Sequence, residues 1–194
     1  MKFDTVLKTT IADSIAIREQ CHHLSPAISE VIHHMVKSYS DHGKIIVFGN
    51  GGAAADAQHI VGELVGRFRF ERPALAAIAL VGDASVTTAI GNDYGYDQLF
   101  ARQIMALGQP GDIAIGITTS GTSTNVISGL ASAKKAGLTT IGMCGTNTTH
   151  LKPICDVVID VPSSDTARIQ EALMMIGHVI CESVEERIFG NLTT

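Results

Sequence analysis

The sequence predicts an α/β fold in which five parallel strands form a doubly wound sheet with helices on both faces. Two observations support this class. Short apolar runs alternate with helical patterns along the chain, and hydrophobic residues make up 45% of a composition that includes 19 glycines. Apolar runs without polar alternation are typical of strands that are covered on both faces. At 194 residues we expect a single domain spanning residues 1–194.

The predicted elements follow one another in a regular order. Two amphipathic helices come first, at residues 3–24 and 26–40. The predicted strands are the runs KIIVFG, ALAAIAL, DIAIGI, TTIGM and DVVIDV, at residues 44–49, 74–80, 112–117, 139–143 and 156–161. Helical patterns lie between them at residues 54–70, 84–90, 97–107 and 125–136, and a last helix is predicted at residues 166–189. This last helix would run about 36 Å, which is more than one small sheet can cover.

Charge and composition exclude several classes of protein. The net charge of -5 argues against a general nucleic-acid binder, since such binding needs a basic face. The N-terminus has no apolar signal segment, and no apolar run reaches the length of a membrane span, so we expect a cytoplasmic protein without membrane association. The cysteines lie far apart and form no metal-binding pair; they are Cys21, Cys144, Cys155 and Cys181.

A glycine-rich loop, GNGGAAAD, follows the first predicted strand. Its glycines allow a ligand to approach the backbone, and the helix that follows offers free N–H groups at its N-terminus. The loop also fits the dinucleotide fingerprint loosely. That motif requires an acidic residue about 20 positions further on, whereas the nearest candidate here is Asp83, so a nucleotide-linked oxidoreductase is a weak alternative.

A second polar loop, TTSGTSTN, follows the third predicted strand and opens a helix. An ordinary helix cap explains one of its six hydroxyl groups but not the others. Hydroxyl and backbone donors at a helix N-terminus can hold a phosphate group. Because ligands of open parallel sheets bind at the strand ends, we expect both loops to face one cavity.

Two further segments carry groups that can bind metal ions. His59 and Glu63 are four residues apart on one predicted helix, so their side chains project from the same face. Gln170, Glu171 and His178 lie on the last predicted helix. The surroundings of His178 are almost entirely apolar, and this histidine is either a hydrogen-bonded core residue or a functional group in a dry pocket.

Four segments together resemble the sugar isomerase (SIS) family over nearly the whole chain. They are GNGGAAADAQHIVGEL, AIGNDYGYDQLFARQ, TSGTS and VPSSDTARIQEALMMIGHVICESVEE, in matching order and spacing. The resemblance implies an SIS-type fold and an aldose–ketose isomerase that converts sedoheptulose 7-phosphate to D-glycero-D-manno-heptose 7-phosphate for lipopolysaccharide core synthesis. It also implies a homotetramer and one zinc ion (Zn2+) per subunit.

The resemblance also assigns roles to individual residues. It implies that Glu63 and His178 are the catalytic pair, and that zinc is bound by His59, Glu63, Gln170 and His178. The substrate contacts that it implies are Asn50, Gly51, Gly52, Glu63, Asn92, Asp93, Thr118, Thr119, Ser120, Ser123 and Gln170. Three positions depart from the family pattern: Ala53 and Thr118 replace serines, and Thr122 replaces an asparagine. Ala53 removes one expected hydrogen bond to the substrate.

Isomerisation by this route requires a base, an acid and stabilisation of an enediolate. We assign these to Glu63, His178 and the metal ion. The alternative is a non-catalytic SIS protein that binds sugar phosphates or a replication initiator, but the initiator-associating relative lacks the glutamate that matches Glu63. We also expect Glu63 and His178 to come from different subunits, because Gln170 and His178 are about 12 Å apart along a helix and converge poorly on one ion.

Overall fold

A computed structural model describes residues 2–190 of the protein and shows one sheet of five parallel strands. The strands are β1 (Ile45–Gly49), β2 (Ala77–Ala79), β3 (Ile113–Thr118), β4 (Thr139–Cys144) and β5 (Val157–Asp160). Each of the five predicted runs forms a strand, which confirms the predicted fold class. Their spatial order is β2-β1-β3-β4-β5, so the direction of winding reverses between β1 and β3. Ligands of doubly wound sheets bind at this reversal, outside the carboxyl ends of the strands.

Helices cover both faces of the sheet. In residues 2–190 they are α1 (Phe3–Gln20), α2 (Ser25–Ser40), α3 (Gly52–Val65), α4 (Ala84–Tyr94), α5 (Leu99–Leu107), α6 (Thr124–Lys135) and α7 (Thr166–Phe189). The first predicted helix continues beyond α1 as a 3-10 turn, Cys21–Leu24, and a second such turn, Tyr96–Gln98, precedes α5. The predicted bounds of α7 are confirmed. The carboxylate of Asp165 accepts hydrogen bonds from the first-turn amides of this helix.

The prediction for α3 is wrong at its C-terminal end, since the helix stops at Val65 and not at residue 70. Gly66 follows the last helical residue, and the Arg72 guanidinium donates hydrogen bonds to the carbonyl oxygens of Glu63 and Leu64, both at 2.7 Å. These bonds satisfy carbonyl groups that have no partner within a helix that ends here. The helical pattern of the sequence does not reveal a partner that lies beyond the helix.

Two apolar cores lie on opposite faces of the sheet. The larger core includes residues from α2, α3 and α7, among them Met35, Leu64 and Ile176, packed on Val47 of β1. The smaller core packs α5 and α6 against the other face, around Phe48. Together these cores fix α3 and α7 on the same face of the sheet, so residues of the two helices can meet.

The prediction of one domain over residues 1–194 stays a prediction, and Met1 and residues 191–194 lie outside the described residues. Among residues 2–190, no helix has both the length and the apolar character that are needed to cross a membrane.

Candidate active site

The loops that follow β1 and β3 meet at the point where the strand order reverses. Asn50, directly after β1, and Asn125, in the first turn of α6, exchange two side-chain hydrogen bonds of 2.8 Å. The hydroxyl group of Tyr96 donates a third bond to Asn50 Oδ1, at 3.1 Å. The two loops therefore meet here, while the expectation that both face one cavity stays a prediction. The pairing uses one of the two side-chain N–H groups of Asn50, so the other can donate to a ligand.

The hydroxyl groups of the second loop form a connected cluster. Thr118 Oγ1 lies 2.9 Å from Ser123 Oγ and 3.4 Å from Ser120 Oγ, and the Thr122 hydroxyl donates to Ser120. Ser123 occupies the N-cap position of α6, but its side chain makes no capping hydrogen bond. An ordinary helix cap therefore does not account for this serine. Its hydroxyl faces the others at the positive end of a helix dipole, where an anion is stabilised.

Gly121 gives this loop its shape. Its φ of 68° lies in the left-handed region, and a Cβ atom at this position would collide with the carbonyl oxygen of Asn147. Only glycine meets both conditions without strain. The turn directs the neighbouring hydroxyl groups toward one another.

His59, Glu63 and His178 converge within a single chain. His59 Nε2 lies 3.1 Å from Glu63 Oε1 and 3.1 Å from His178 Nε2, and the ligand atoms of all three residues lie within 4.8 Å of one another. The expectation that Glu63 and His178 come from different subunits is therefore wrong. The side-by-side packing of α3 and α7 brings the residues together, so a second subunit is not needed for Glu63 and His178 to meet.

These three side chains fit a metal ion. Two imidazole nitrogens and one carboxylate oxygen form a donor set of the kind that binds zinc, at about 2.0–2.2 Å from each ligand atom. Separations of 3.1 Å between neighbouring ligand atoms are compatible with such bonds to one shared ion. His59 is exposed while Glu63 and His178 are half-buried, so the group is also accessible from solvent.

Gln170 lies near the start of α7, about two turns before His178. Its side-chain amide packs directly on Gly52, in the space that a Cβ atom at this position would occupy. Gln170, Gly52 and His178 line one cavity of about 800 Å³. The glycine-rich loop after β1 and His178 of α7 therefore border the same cavity.

Asp56 also lines this cavity, and the sequence analysis did not single it out. Its Oδ2 atom is buried and has no hydrogen-bond partner among the described residues. Burial raises the pKa of this carboxyl group above its ordinary value, and the nearby His59 opposes that effect. Asn125 and Tyr96 were missed as well. The only signal for Asn125 was its position at the end of the hydroxyl-rich loop.

Two predicted substrate contacts join neither the hydroxyl cluster nor the group of His59, Glu63 and His178. Asn92 and Asp93 lie on the last turn of α4, where both are exposed and hydrogen-bonded to each other at 2.7 Å. Helix α4 contributes no buried residue to either core. Asp83, the acidic residue of the weak dinucleotide pattern, caps α4 by accepting a bond from the Val86 amide. This cap accounts for Asp83 without a nucleotide.

The fold and the site define an SIS-domain protein. The family model described as "SIS domain" matches residues 11–145. The chain therefore belongs to the SIS domain family, and the resemblance seen in its motifs is confirmed.

The relatives of this chain have a more specific name. Phosphoheptose isomerase 2 of Campylobacter jejuni is 47% identical over 190 residues, which cover 96% of this chain and 94% of the relative. Two solved structures of phosphoheptose isomerases are 35% identical. The protein from Neisseria gonorrhoeae has a TM-score of 0.90, with 95% of this chain and all of the other covered. The protein from Francisella tularensis has a TM-score of 0.92, with 96% and 100% covered.

Proposed function

We propose that this protein is a phosphoheptose isomerase that interconverts sedoheptulose 7-phosphate and D-glycero-D-manno-heptose 7-phosphate, at the start of heptose synthesis for lipopolysaccharide. The observation that carries the proposal is the convergence of Glu63 and His178 in a chain that is 47% identical to a phosphoheptose isomerase over nearly its full length. A ketose and its aldose differ in the position of one carbonyl group and two hydrogens. An adjacent base and acid are the groups that this reaction requires.

Glu63 acts as the base and His178 as the acid. A Glu63 oxygen removes a proton from C1 of the ketose, and the imidazole of His178 donates a proton to the oxygen on C2. Protonated Glu63 then returns a proton to C2 of the enediol, and the C1 hydroxyl passes its proton back to His178 as the C1 oxygen becomes the aldehyde carbonyl. The short distances from His59 to Glu63 and to His178 support a proton donor and a proton acceptor that act on the same side of the sugar.

Zinc is the metal that we assign to His59, Glu63 and His178, with Gln170 as a fourth ligand. A bound zinc ion supplies Lewis acidity that polarises the substrate carbonyl and stabilises the enediolate. Glu63 would help to hold the ion and would still supply the base. The Gln170 side chain lines the same cavity as His178, which supports its place in this set.

The phosphate group of the substrate binds in the hydroxyl cluster of the second loop. Thr118, Thr119, Ser120 and Ser123 supply donors at the N-terminus of α6, and the Asn50 amide, Gly51 and Gly52 contact the sugar from the other loop. We also assign Asn92 and Asp93 of α4 to the substrate. Ala53 is buried against the end of β1 and offers no hydroxyl group, so its position contributes only packing.

The protein functions as a homotetramer in the cytoplasm, without nucleic-acid or membrane partners. Helix α1 supports the assembly, because none of its 18 residues is buried in one chain although it carries several exposed apolar side chains. Four buried free cysteines are typical of a reducing compartment. A non-catalytic sugar-phosphate-binding protein is the second candidate, but it gives no reason for Glu63 and His178 to converge.

The substitution Glu63→Gln tests the catalytic assignment. It preserves side-chain volume but removes the base, so we expect kcat to fall by at least 10²-fold, the typical contribution of general-base catalysis. Purified protein is incubated with ketose phosphates of five, six and seven carbons, and aldose formation is followed. Sedoheptulose 7-phosphate should be converted fastest.

The matched control is Glu30→Gln on α2, the same change at an exposed residue whose contact with His34 is long, at 3.8 Å. This variant should keep the parent rate, and both variants should retain the parent's circular dichroism spectrum. A Glu63→Gln enzyme within about tenfold of the parent would show that another group is the base. A parent that converts none of the sugars would overturn the proposed function.

A further inference from the structure

The ring of His178 stacks on an aromatic residue that has no role in the proposed chemistry. The Phe68 ring lies nearly parallel to the imidazole, with 13° between the planes and 5.5 Å between the centroids. The His59 ring meets the same imidazole at 59° and 5.1 Å. Phe68 belongs to the connection between α3 and β2, which has no regular secondary structure. Another part of the structure must therefore hold it in place.

Glu185, two turns beyond His178 on α7, holds this connection. Its two carboxylate oxygens accept hydrogen bonds from the backbone amides of Phe68, at 3.0 Å, and Arg69, at 2.8 Å. The Glu185 side chain is only 1% exposed. Burial by itself raises the pKa of this carboxyl group, but the bonds from both amides and Arg72 outweigh burial and lower the pKa. Glu185 therefore remains ionised and keeps both bonds at neutral pH.

Arg72 completes the network by joining Glu185 to α3. Its Nε atom donates to Glu185 Oε1 at 3.0 Å, and its guanidinium also donates to the carbonyl oxygen of Glu63 at 2.7 Å. Its remaining bonds go to the carbonyl oxygens of Leu64, Gly66 and Pro73. One buried ion pair thus connects the helix of Glu63, the connection that bears Phe68 and the helix of His178.

A buried ion pair is a poor source of stability, because desolvation of the two charges cancels much of their attraction. This pair does, however, fix geometry, since its bonds join α3, which carries Glu63, and α7, which carries His178, to the connection that bears Phe68. We propose that Phe68 is a positioning residue, held by the Glu185–Arg72 pair, whose stacked ring fixes the orientation of the His178 imidazole during isomerisation. The proposal rests on the proposed function.

The physical reason is the freedom of the imidazole about its Cβ–Cγ bond. Rotation about this bond is soft, so a histidine on a helix surface samples several ring planes. A parallel aromatic ring restricts it to one plane and keeps Nε2 directed at the cluster. Misplacing a reacting group by about 1 Å can lower the rate by 10²-fold, and substrate binding need not change.

The test replaces Phe68 with residues that do and do not stack. In Phe68→Leu we expect kcat to fall by between about 10- and 100-fold, with KM within about twofold of the parent. Phe68→Tyr keeps the ring and should restore kcat to within about threefold of the parent. The matched control is Phe70→Leu, the same change on the same connection, which should leave kcat and KM unchanged. Melting temperatures identify any variant that has lost its fold. If Phe68→Leu has lost its fold, Phe68→Met is measured in its place.

A second measurement is independent of activity. With histidine labelled with carbon-13 at Cε1, the His178 signal is identified by its loss in His178→Gln. The Phe68 ring shifts this signal upfield, so Phe68→Leu and Glu185→Gln should both move it downfield, while Phe70→Leu should not. Unchanged kcat in folded Phe68→Leu, or an unmoved signal, overturns the inference. A parent that is inactive on every sugar but shows the shift overturns the proposed function instead.

Discussion

At the scale of single residues, the site depends on side chains that are held by one another as well as by the backbone. Asn50 and Asn125 exchange two hydrogen bonds, and Thr118 lies 2.9 Å from Ser123. Such reciprocal bonds fix amide and hydroxyl orientations before a ligand arrives, which lowers the entropy cost of binding. The hydroxyl cluster is therefore prepared for an anion.

The substitution Ser120→Ala tests whether this cluster binds the phosphate group. Removing one donor to a charged group costs about 1.5–3 kcal/mol, so KM for the sugar phosphate should rise by about 10- to 100-fold, with a smaller change in kcat. Ser132→Ala, near the other end of α6, is the control and should leave KM unchanged. Inorganic phosphate should inhibit the parent competitively. If high phosphate leaves the parent rate unchanged, the phosphate of the substrate binds elsewhere.

At the scale of elements, the group of His59, Glu63 and His178 is formed by two helices that pack side by side. Helix α3 carries His59 and Glu63 one turn apart on the same face, and α7 brings His178 to that face. Arg72 and Glu185 tie the C-terminal part of α3 to α7 through buried hydrogen bonds. A metal ion bound by these residues would be held by two elements, so its binding would require both helices to be folded.

Removal of the metal tests this arrangement. Dialysis against a chelator should abolish isomerisation, and one equivalent of Zn2+ per chain should restore it. The variant His59→Asn loses one of two imidazole ligands, so its zinc affinity, measured by calorimetry, should fall by at least about tenfold. His42→Asn, an exposed histidine in the turn after α2, serves as the control. Full activity in the demonstrably zinc-free protein would exclude a catalytic metal.

At the scale of the whole molecule, one chain brings His59, Glu63 and His178 together but leaves an apolar surface of α1 uncovered. Phe3, Leu7, Ile11 and Ile15 recur every four residues on α1 and are between 44% and 80% exposed. Residues at this spacing share a face of a helix, and an apolar face of this extent is typical of a protein–protein contact. The proposed tetramer would bury it between copies of the chain.

A charge on this surface tests its role in assembly. Ile11→Glu places a carboxylate in the middle of the apolar face, and we expect it to lower the molar mass measured by light scattering from that of a tetramer to that of smaller species. Thr9→Glu adds the same charge on another side of α1 and should leave the tetramer intact. If Ile11→Glu remains a tetramer, α1 does not form the subunit contact.

The buried ion pair makes stability depend on pH. Hydrogen bonds lower the pKa of Glu185 in the folded protein below its ordinary value, despite its burial. The ionised carboxylate therefore stabilises the fold fully above about pH 4.5, and this stabilisation is lost as the pH falls through the lowered pKa of the folded state. Glu185→Gln leaves the Arg72 charge unpaired and should reduce the free energy of unfolding at pH 7 by about 3–5 kcal/mol. In urea titrations, the difference in the free energy of unfolding between Glu185→Gln and the parent should become smaller toward pH 3. Glu186→Gln, an exposed neighbour, should show no such difference at any pH.

The sequence by itself determined the elements of this protein and singled out His59, Glu63 and His178, which the structure brings together. The five strands and the bounds of α7 could be predicted because apolar periodicity and capping are local properties. The four-residue spacing of His59 and Glu63 is also a local property, so their shared helix face could be predicted. The tertiary structure alone decided where α3 ends, since the Arg72 guanidinium reaches its last turn across the following loop. It also decided that His178 meets Glu63 in the same chain, because the packing angle and register of two helices depend on the whole core.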